Sequence, residues 1–445
     1  MPWTAKSKVK RTRFRYNRGA FGEGGGVSFG QRIQEIRDGF DRPFWVANIT
    51  EIFERLSYYG AFASLANYLH EKLNFPTEQT GTLTGFFGGM VWFLAIFGGT
   101  AADWLGFRRA LSLAYLLLGA AYFLLGSIGT SWLAPVREAL PLWLFVGTIL
   151  LLPALGISLV KPCVVGTTAR ASKENVRSIG YSIYYTMVNI GGAAGPYVAS
   201  WAHRHLGVEN VFRVAALSVF AMFFVVLLFF REPRRKDEAS PPRFFETMRN
   251  FATILWPPKF LIFLLIFTGY WIVFWQQYIS LPGFLHSYVD PNADVELILV
   301  TDAAIVICFT VLVNLLTRRI PPFRAVILGT VITACGWLMI AFWPSVWGAV
   351  LSLVFVALGE ITQSPRYYEY ISRLAPSGQQ GAYMGFAFLP IGIGSLIGGW
   401  FGGQVMHRFG EVAHRPERAW WAITAVGLVT ALLLWIYDRA VRPRK

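Results

Sequence analysis

The chain has 445 residues, of which 55% are hydrophobic, 16% aromatic and only 15% charged, a balance too apolar for an ordinary soluble domain and one that belongs in a membrane. Its formal net charge of +15 is held in a tail and in short gaps between apolar runs with no nucleic-acid-binding motif around them, so it reads as membrane topology and not as an RNA or DNA surface. Cys163, Cys308 and Cys335 lie inside apolar segments without CxxC or Cys/His spacing, which argues against a disulfide framework and a zinc site, and no metal or other cofactor is expected.

Residues 1–42 are rich in Lys and Arg, include FGEGGG and contain no apolar core of signal-peptide length, so they read as a basic cytosolic tail. Within it, FGQRIQEIRDGFDR at 29–42 fits a short amphipathic surface helix or an unstructured lead-in. Twelve apolar stretches then follow, each long enough to cross a hydrocarbon layer of about 30 Å. They lie near 43–70, 77–103, 107–128, 139–170, 176–204, 208–231, 257–288, 294–317, 322–343, 346–374, 379–408 and 418–440. The polar interruption at 232–256 divides them six and six, predicting an N-terminal six-helix bundle over 43–231, a cytosolic linker, and a C-terminal six-helix bundle over 257–440 with a cytosolic end at 441–445.

Basic residues near span ends resist translocation and so orient the bundle. The tail, Arg108 and Arg109, the turn with Arg170, Lys173 and Arg177, the linker, Arg318 and Arg319, and the C-terminal end all fall on one side. That side is read as the cytosol, with both termini in, of a plasma or inner membrane. The loop with Arg408, Arg415 and Arg418 falls on the other face, but its His and Glu residues make it mixed. Gly-rich runs at Gly85, Gly88, Gly89, Gly98 and Gly99, at Gly191, Gly192 and Gly195, and at Gly392, Gly394, Gly398 and Gly399 would let helices pack closely or slide, and ordinary small-residue packing is the plainer reading.

Against this apolar background the charges inside spans stand out. ITEIFERLSYYG, residues 49–60, places Glu51, Glu54, Arg55 and Tyr58 on one helical face, and Tyr59 lies one turn beyond Arg55. A charge at the middle of a span costs about 2.5–3.5 kcal/mol on insertion scales, so three together need partners or water. Glu51 can pair with Arg55 and leave Glu54 to titrate, as a proton-coupled switch requires; a structural ion pair is the plainer reading. Lys161 in GISLVKPCVVG and Glu360 in VALGEITQSP each precede a proline, and a buried lysine and glutamate in opposite halves make a natural pair across a cavity. Asp302 is either an interfacial acid or a cavity residue, while Asn189 and Gln276 can either bond a polar substrate or tie helices together.

These residues resemble the signatures of the proton-dependent oligopeptide transporter family, a branch of the major facilitator superfamily. ITEIFERLSYYG is similar to the family's E-x-x-E-R-F-x-Y-Y-G in the first helix. GTAADWLGFRR at 99–109 is similar to the superfamily turn G-x-x-x-D-x-x-G-x-R-R. YSIYYTMVNIGGAAGP at 181–196 resembles Y-x-x-x-N-x-G, LVKPCVVG resembles L-x-K-P-N, and LGEITQSP resembles G-E-x-x-x-S-P, so both halves are covered in the expected order. The resemblance implies an all-α membrane protein with twelve transmembrane helices in two six-helix bundles. It implies a symporter that imports di- or tripeptides with protons by alternating access, in contact with membrane lipid.

Carried over by position, the resemblance gives Glu51, Glu54, Lys161 and Glu360 to proton coupling. Arg55 would hold the substrate carboxylate, Tyr58 and Tyr59 would line the pocket, Lys161 would pair with the carboxylate or Glu54, and Glu360 would receive the amino group. Asn189, Gln276 and Asp302 complete the expected substrate site, and Asp103, Arg108 and Arg109 would brace a cytosolic gate. Leu56 replaces the motif's Phe and Cys163 its Asn. YWIVFWQQ puts Trp275 where the family has the acid that answers the first-helix arginine, and Asp302 can restore that charge from the next helix. Other readings are a carrier of nitrate, an amino acid or another small anionic or zwitterionic solute, or a sensor that binds without transport. An enzyme is disfavoured, since HExxH, GxSxG and His-rich clusters are missing from the sequence.

Overall fold

The computed structural model describes residues 38–233, 258–375 and 380–441. The proposed basic tail and linker therefore lie largely outside the described residues. Twelve long helices follow the expected spans: α1 Arg42–Asn67, α2 Thr77–Leu105, α3 Phe107–Leu125, α4 Leu142–Arg170, α5 Arg177–Leu206 and α6 Val208–Phe229 make the first half. In the second half come α7 Pro258–Phe274, α8 Val295–Thr317, α9 Pro322–Phe342, α10 Val346–Leu374, α11 Leu389–Met406 and α12 Glu417–Val441.

Two spans expected to be single helices are interrupted. The seventh continues past Trp275 as Gln276–Ile279 and Leu281–Tyr288, and the eleventh is preceded by a separate turn of helix, Gln380–Phe386. Pro282 and Pro390 lack the N–H that the carbonyls four residues earlier would accept, which loosens the ladder at both places. The fourth span starts slightly later than expected, because Ala134–Ala139 forms its own short helix ahead of it.

Ten of the twelve helices are long and apolar enough to cross a membrane, and α1 and α5 are the two that are not. Inside the bundle α1 packs on α5, α4 and α6. Packing repeats with an offset of six. The pairs α1–α5, α2–α4, α3–α6 and α1–α6 have counterparts in α7–α11, α8–α10, α9–α12 and α7–α12. Two seams join the halves, α2 against α11 and α5 against α8, and the same offset exchanges them. Apolar side chains such as Leu217, Leu228, Leu316 and Leu432 remain exposed on the rim, as an integral membrane protein requires.

The two ends of the bundle differ. At the end away from the described termini, here the far face, the halves touch along both seams. A Cβ added to Gly85 of α2 would stand 2.5 Å from Gly399 Cα and from Ser395 O of α11, so backbones meet there with no side chain between them. At the opposite, terminus-side face, Tyr181 and Tyr185 on α5 and Ile307 and Val311 on α8 are exposed.

Candidate functional site

Glu51, Glu54 and Arg55 occupy the middle of α1 and are at most 1% exposed. Arg55 Nε lies 3.5 Å from Glu51 Oε1 and donates a hydrogen bond to Glu54 Oε2. Glu54 is thus not the free acid the spacing suggested; it is the nearer partner of Arg55, whose own Cβ faces α5. Gly191 lets α5 approach α1 this closely: a Cβ there would stand 2.5 Å from Ile52 O and 2.7 Å from Arg55 Cβ. The guanidinium carbon also lies 5.3 Å from the Tyr58 ring centre, within reach of a cation–π interaction. Glu51 Oε1 and Oε2, Glu54 Oε1 and Arg55 Nη2 are buried without hydrogen-bond partners. Open valences on buried charges are costly, and these atoms have room for a further hydrogen-bond partner.

Lys161 of α4 does not pair with Glu54 or Glu360. Its ammonium sits 3.8 Å from the ring centre of Trp92 on α2 and forms no ion pair among the described residues. Tyr59 is half-buried, within electrostatic reach of Arg55 and Glu54 on its own helix and of Glu360 and Asp302 across the interior. Asp302 is 9% exposed and its Oδ1 has no hydrogen-bond partner; it lies near Glu360 and not against Arg55, so it does not replace the missing acid here. The interior therefore has a wall of mixed charge on α1 and α4 and a facing wall with two acids on α8 and α10.

Two expected site residues, and the tryptophan that stands in for an expected acid, have other employment. Asn189 Nδ2 donates to Tyr185 O on its own helix. Gln276 Nε2 donates to Ile272 O and to Gly398 O, and its Oε1 accepts from Ser280, so it ties the broken seventh span to α11. Trp275, at the position where an acid was expected, donates from Nε1 to Ile391 O and packs near Phe62 of α1 with ring centres 5.5 Å apart. Phe62 also stacks on Tyr278 at 4.7 Å and 7°. An aromatic interlock thus closes the centre where an ion pair was expected.

The expected terminus-side brace is built differently too. Asp103 pairs with Arg170 of α4 at 3.1 Å, and Arg170 lies over Phe107. Glu232 accepts from the backbone N–H groups of Phe107 and Arg108, each at 2.8 Å, capping α3. Arg108 Nη2 donates to Leu227 O near the end of α6, while Arg109 is exposed. These contacts hold the first half together and do not reach the second.

Among the described residues, the hydrogen bonds and ion pairs between side chains of the two halves gather at the far face, and none of these residues was singled out as a site residue from the sequence. Glu296, at the start of α8, accepts from Ser64 of α1 at 2.8 Å and faces His203 Nδ1 of α5 at 2.9 Å. Asp294 caps α8 through Leu297 N, accepts from Ser200 at 2.6 Å and pairs with Arg204 at 3.3 Å. His286, on the short helix Leu281–Tyr288 past the membrane-crossing stretch Pro258–Ile279, faces Glu71 at 2.5 Å, and His407 faces Glu78 of α2 at 3.3 Å. One signal was available: all six histidines of the chain, His70, His203, His205, His286, His407 and His414, lie near span ends on this face.

Comparison with known proteins places this geometry. The family model described as Major Facilitator Superfamily matches residues 48–389 and 278–445. The multidrug resistance protein MdtH of Yersinia pestis (strain Pestoides F) is 23% identical over 386 residues, covering 86% of this chain and 92% of that protein. A crystal structure of a POT family transporter in complex with a thioalcohol-conjugated peptide superposes with a TM-score of 0.74 at 17% identity, over 90% of this chain and 97% of the other. A crystal structure of a mutant of the nucleoside transporter NupG superposes with a TM-score of 0.75 at 13% identity, over 88% and 99%.

Proposed function

The chain belongs to the major facilitator superfamily, and from that premise we propose that it is a proton-coupled symporter of small peptides, working by alternating access, in the proton-dependent oligopeptide transporter branch. The observation that carries this reading is the sealed α1 cluster: one arginine between two glutamates, each with an unfilled hydrogen-bonding position. A peptide carboxylate suits Arg55, whose planar fork can bind two oxygens and stays charged. When the carboxylate arrives, Arg55 must loosen from Glu54 and Glu51, and an acid that loses its cation in a dry site takes up a proton. Substrate binding and protonation are then two halves of one exchange.

The facing wall supplies the opposite pole. Glu360 and Asp302 offer negative charge to a peptide amino group, Lys161 stands ready to exchange Trp92 for a carboxylate, and Tyr58 and Tyr59 line the path between. With the basic ends read as cytosolic, both termini lie inside and the far face is external, so the present conformation is closed to the outside. An inward proton gradient and membrane potential would drive uptake, each charge being worth about 2.3 kcal/mol per 100 mV. The ligand of the POT family structure, a conjugated peptide, agrees with this substrate class.

A second reading, transport of another small anionic or zwitterionic solute, is favoured by one observation: Trp275 occupies the position of the expected acid and uses its N–H on Ile391. The test is uptake of a labelled dipeptide into proteoliposomes with and without an imposed proton gradient. Gradient-driven accumulation is expected, and the absence of any dipeptide flux would leave the second reading. In Glu54→Gln, uphill accumulation should vanish while exchange between preloaded vesicles and medium persists.

A further inference from the structure

We propose that the far-face histidines His203, His286 and His407 form a proton-operated latch: protonated, they clamp the two halves shut at that face, and neutral, they release it. The proposal rests on the transporter reading only for its biological meaning, since the latch itself is a property of the gate.

Each of the three bridges the halves at a different point of the seam. His203 on α5 meets Glu296 on α8, His286 on the helix Leu281–Tyr288 meets Glu71 after α1, and His407 after α11 meets Glu78 on α2. The protonation state follows from the acceptors. His286 faces Glu71 with Nδ1 and the carbonyl of Ala293 with Nε2 at 2.9 Å, and a carbonyl oxygen only accepts. His407 faces Glu411 with Nδ1 at 2.7 Å and Glu78 with Nε2. A neutral imidazole has one donor and one acceptor, whereas acceptors on both sides call for the imidazolium, which donates from both nitrogens. Two of the three latch histidines thus have surroundings built for the charged form.

Neighbouring charges reinforce this. Around His203 stand Glu296, Glu71 and His286, with the Arg204–Asp294 pair on the same helix ends. Around His286 stand Glu71, Glu296 and His203, with His70 and Lys72 on the segment after α1. Around His407 stand Glu78, Glu411 and Thr77, with His70 opposite and Arg408 adjacent. Acids hold the contact positions on each of the three histidines. Opening the seam separates every imidazolium from its cross-half acid, so protons bind more tightly to the closed gate, and by linkage acid on the far side favours closure.

The test measures the gate directly. Spin labels at Val136→Cys and Trp343→Cys, exposed far-face sites in opposite halves, report their separation by pulsed electron resonance in lipid nanodiscs after Cys163, Cys308 and Cys335 are replaced by Ser. Raising pH from about 5.5 to about 8 should move the population from the short to the long distance, the closed-to-open ratio falling roughly tenfold for each unit of pKa difference between the two states. The triple His→Gln variant should favour the long distance at both pH values. The triple His→Lys variant, charged throughout, should keep the short one at both; misfolding would not drive the two variants in opposite directions. A pH response that survives in the Gln variant, or a wild-type distribution that does not respond to pH, would overturn the latch. Neither result depends on which solute is carried, so peptide uptake can fail while the latch stands.

Discussion

The two seams that join the halves are related by the six-helix offset, yet they are made of different material. Within α2 and α11 the contact is backbone on backbone, with Gly85 and Gly399 face to face and Ser395 Oγ donating to Gly85 O at 3.1 Å; ionic contacts begin only past Met406, where His407 meets Glu78 and Glu411 accepts from Thr77. Along α5–α8 it is ionic and hydrogen-bonded, through His203, Ser200 and Arg204 on one side and Glu296 and Asp294 on the other. A glycine seam depends on shape and is indifferent to pH and salt, whereas an ionic seam near water responds to both. Symmetric architecture therefore supports an asymmetric job: one seam sets how closely the halves can approach, and the other sets when.

The sharpest way to break this contrast is to fill the glycine seam. Gly399→Leu would place its Cβ 2.5 Å from Gly81 O and 2.6 Å from Gly85 Cα, and overpacking of this kind costs about 1–3 kcal/mol or more. Far-face closure should be lost at every pH, seen as a long label distance and background uptake. Glu296→Ala leaves His203 and Ser64 without their shared acceptor, at a cost of about 1–3 kcal/mol in the closed state. Closed-state population in the same distance measurement should fall roughly tenfold to a hundredfold. Ser395→Ala removes one hydrogen bond worth about 0.5–1.5 kcal/mol and should leave the pH response intact, which separates the seams cleanly. Arg204 is 58% exposed at its side chain, so Arg204→Gln should change closure by less than about 1 kcal/mol, and only at low salt.

The pH window of the ionic contacts has a sign that can be checked at His286 and Glu71, which lie beyond the spans. Burial pushes the Glu71 carboxyl up, but the hydrogen bond and charge of His286 outweigh it and hold the group below its ordinary value. Burial likewise pushes His286 down, and the Glu71 bond, the Ala293 carbonyl and nearby acid charge raise it overall. Their pairing is complete between those two shifted values. It is lost as pH rises through the raised His286 value or falls through the lowered Glu71 value. Titrating the His286 ring resonances by NMR should show the elevated value in wild type and a return towards ordinary histidine in Glu71→Gln.

Much of the molecule was legible beforehand. Apolar runs long enough to cross a bilayer mark helices regardless of context, and the spacing of Glu51, Glu54 and Arg55 puts them on one face of α1 by helical geometry alone. Partners were not legible in the same way. Glu54 proved to be bonded to Arg55, Lys161 to rest on Trp92, Asn189 to serve its own helix, Gln276 to tie the seventh span to α11, and the expected acid at Trp275 to be replaced by an aromatic interlock with Phe62. The far-face gate escaped altogether, because single histidines and glutamates at span ends look like ordinary interfacial residues until two halves of the chain bring them together.

Helix, membrane and the buried charge triplet follow from local forces: hydrophobic length, helical period and the expense of a charge in hydrocarbon act within a single segment. Which acid answers which base is decided by contacts between residues as far apart as Glu71 and His286. Those distances depend on how α2 meets α11 and α5 meets α8, and no stretch of sequence contains that information by itself.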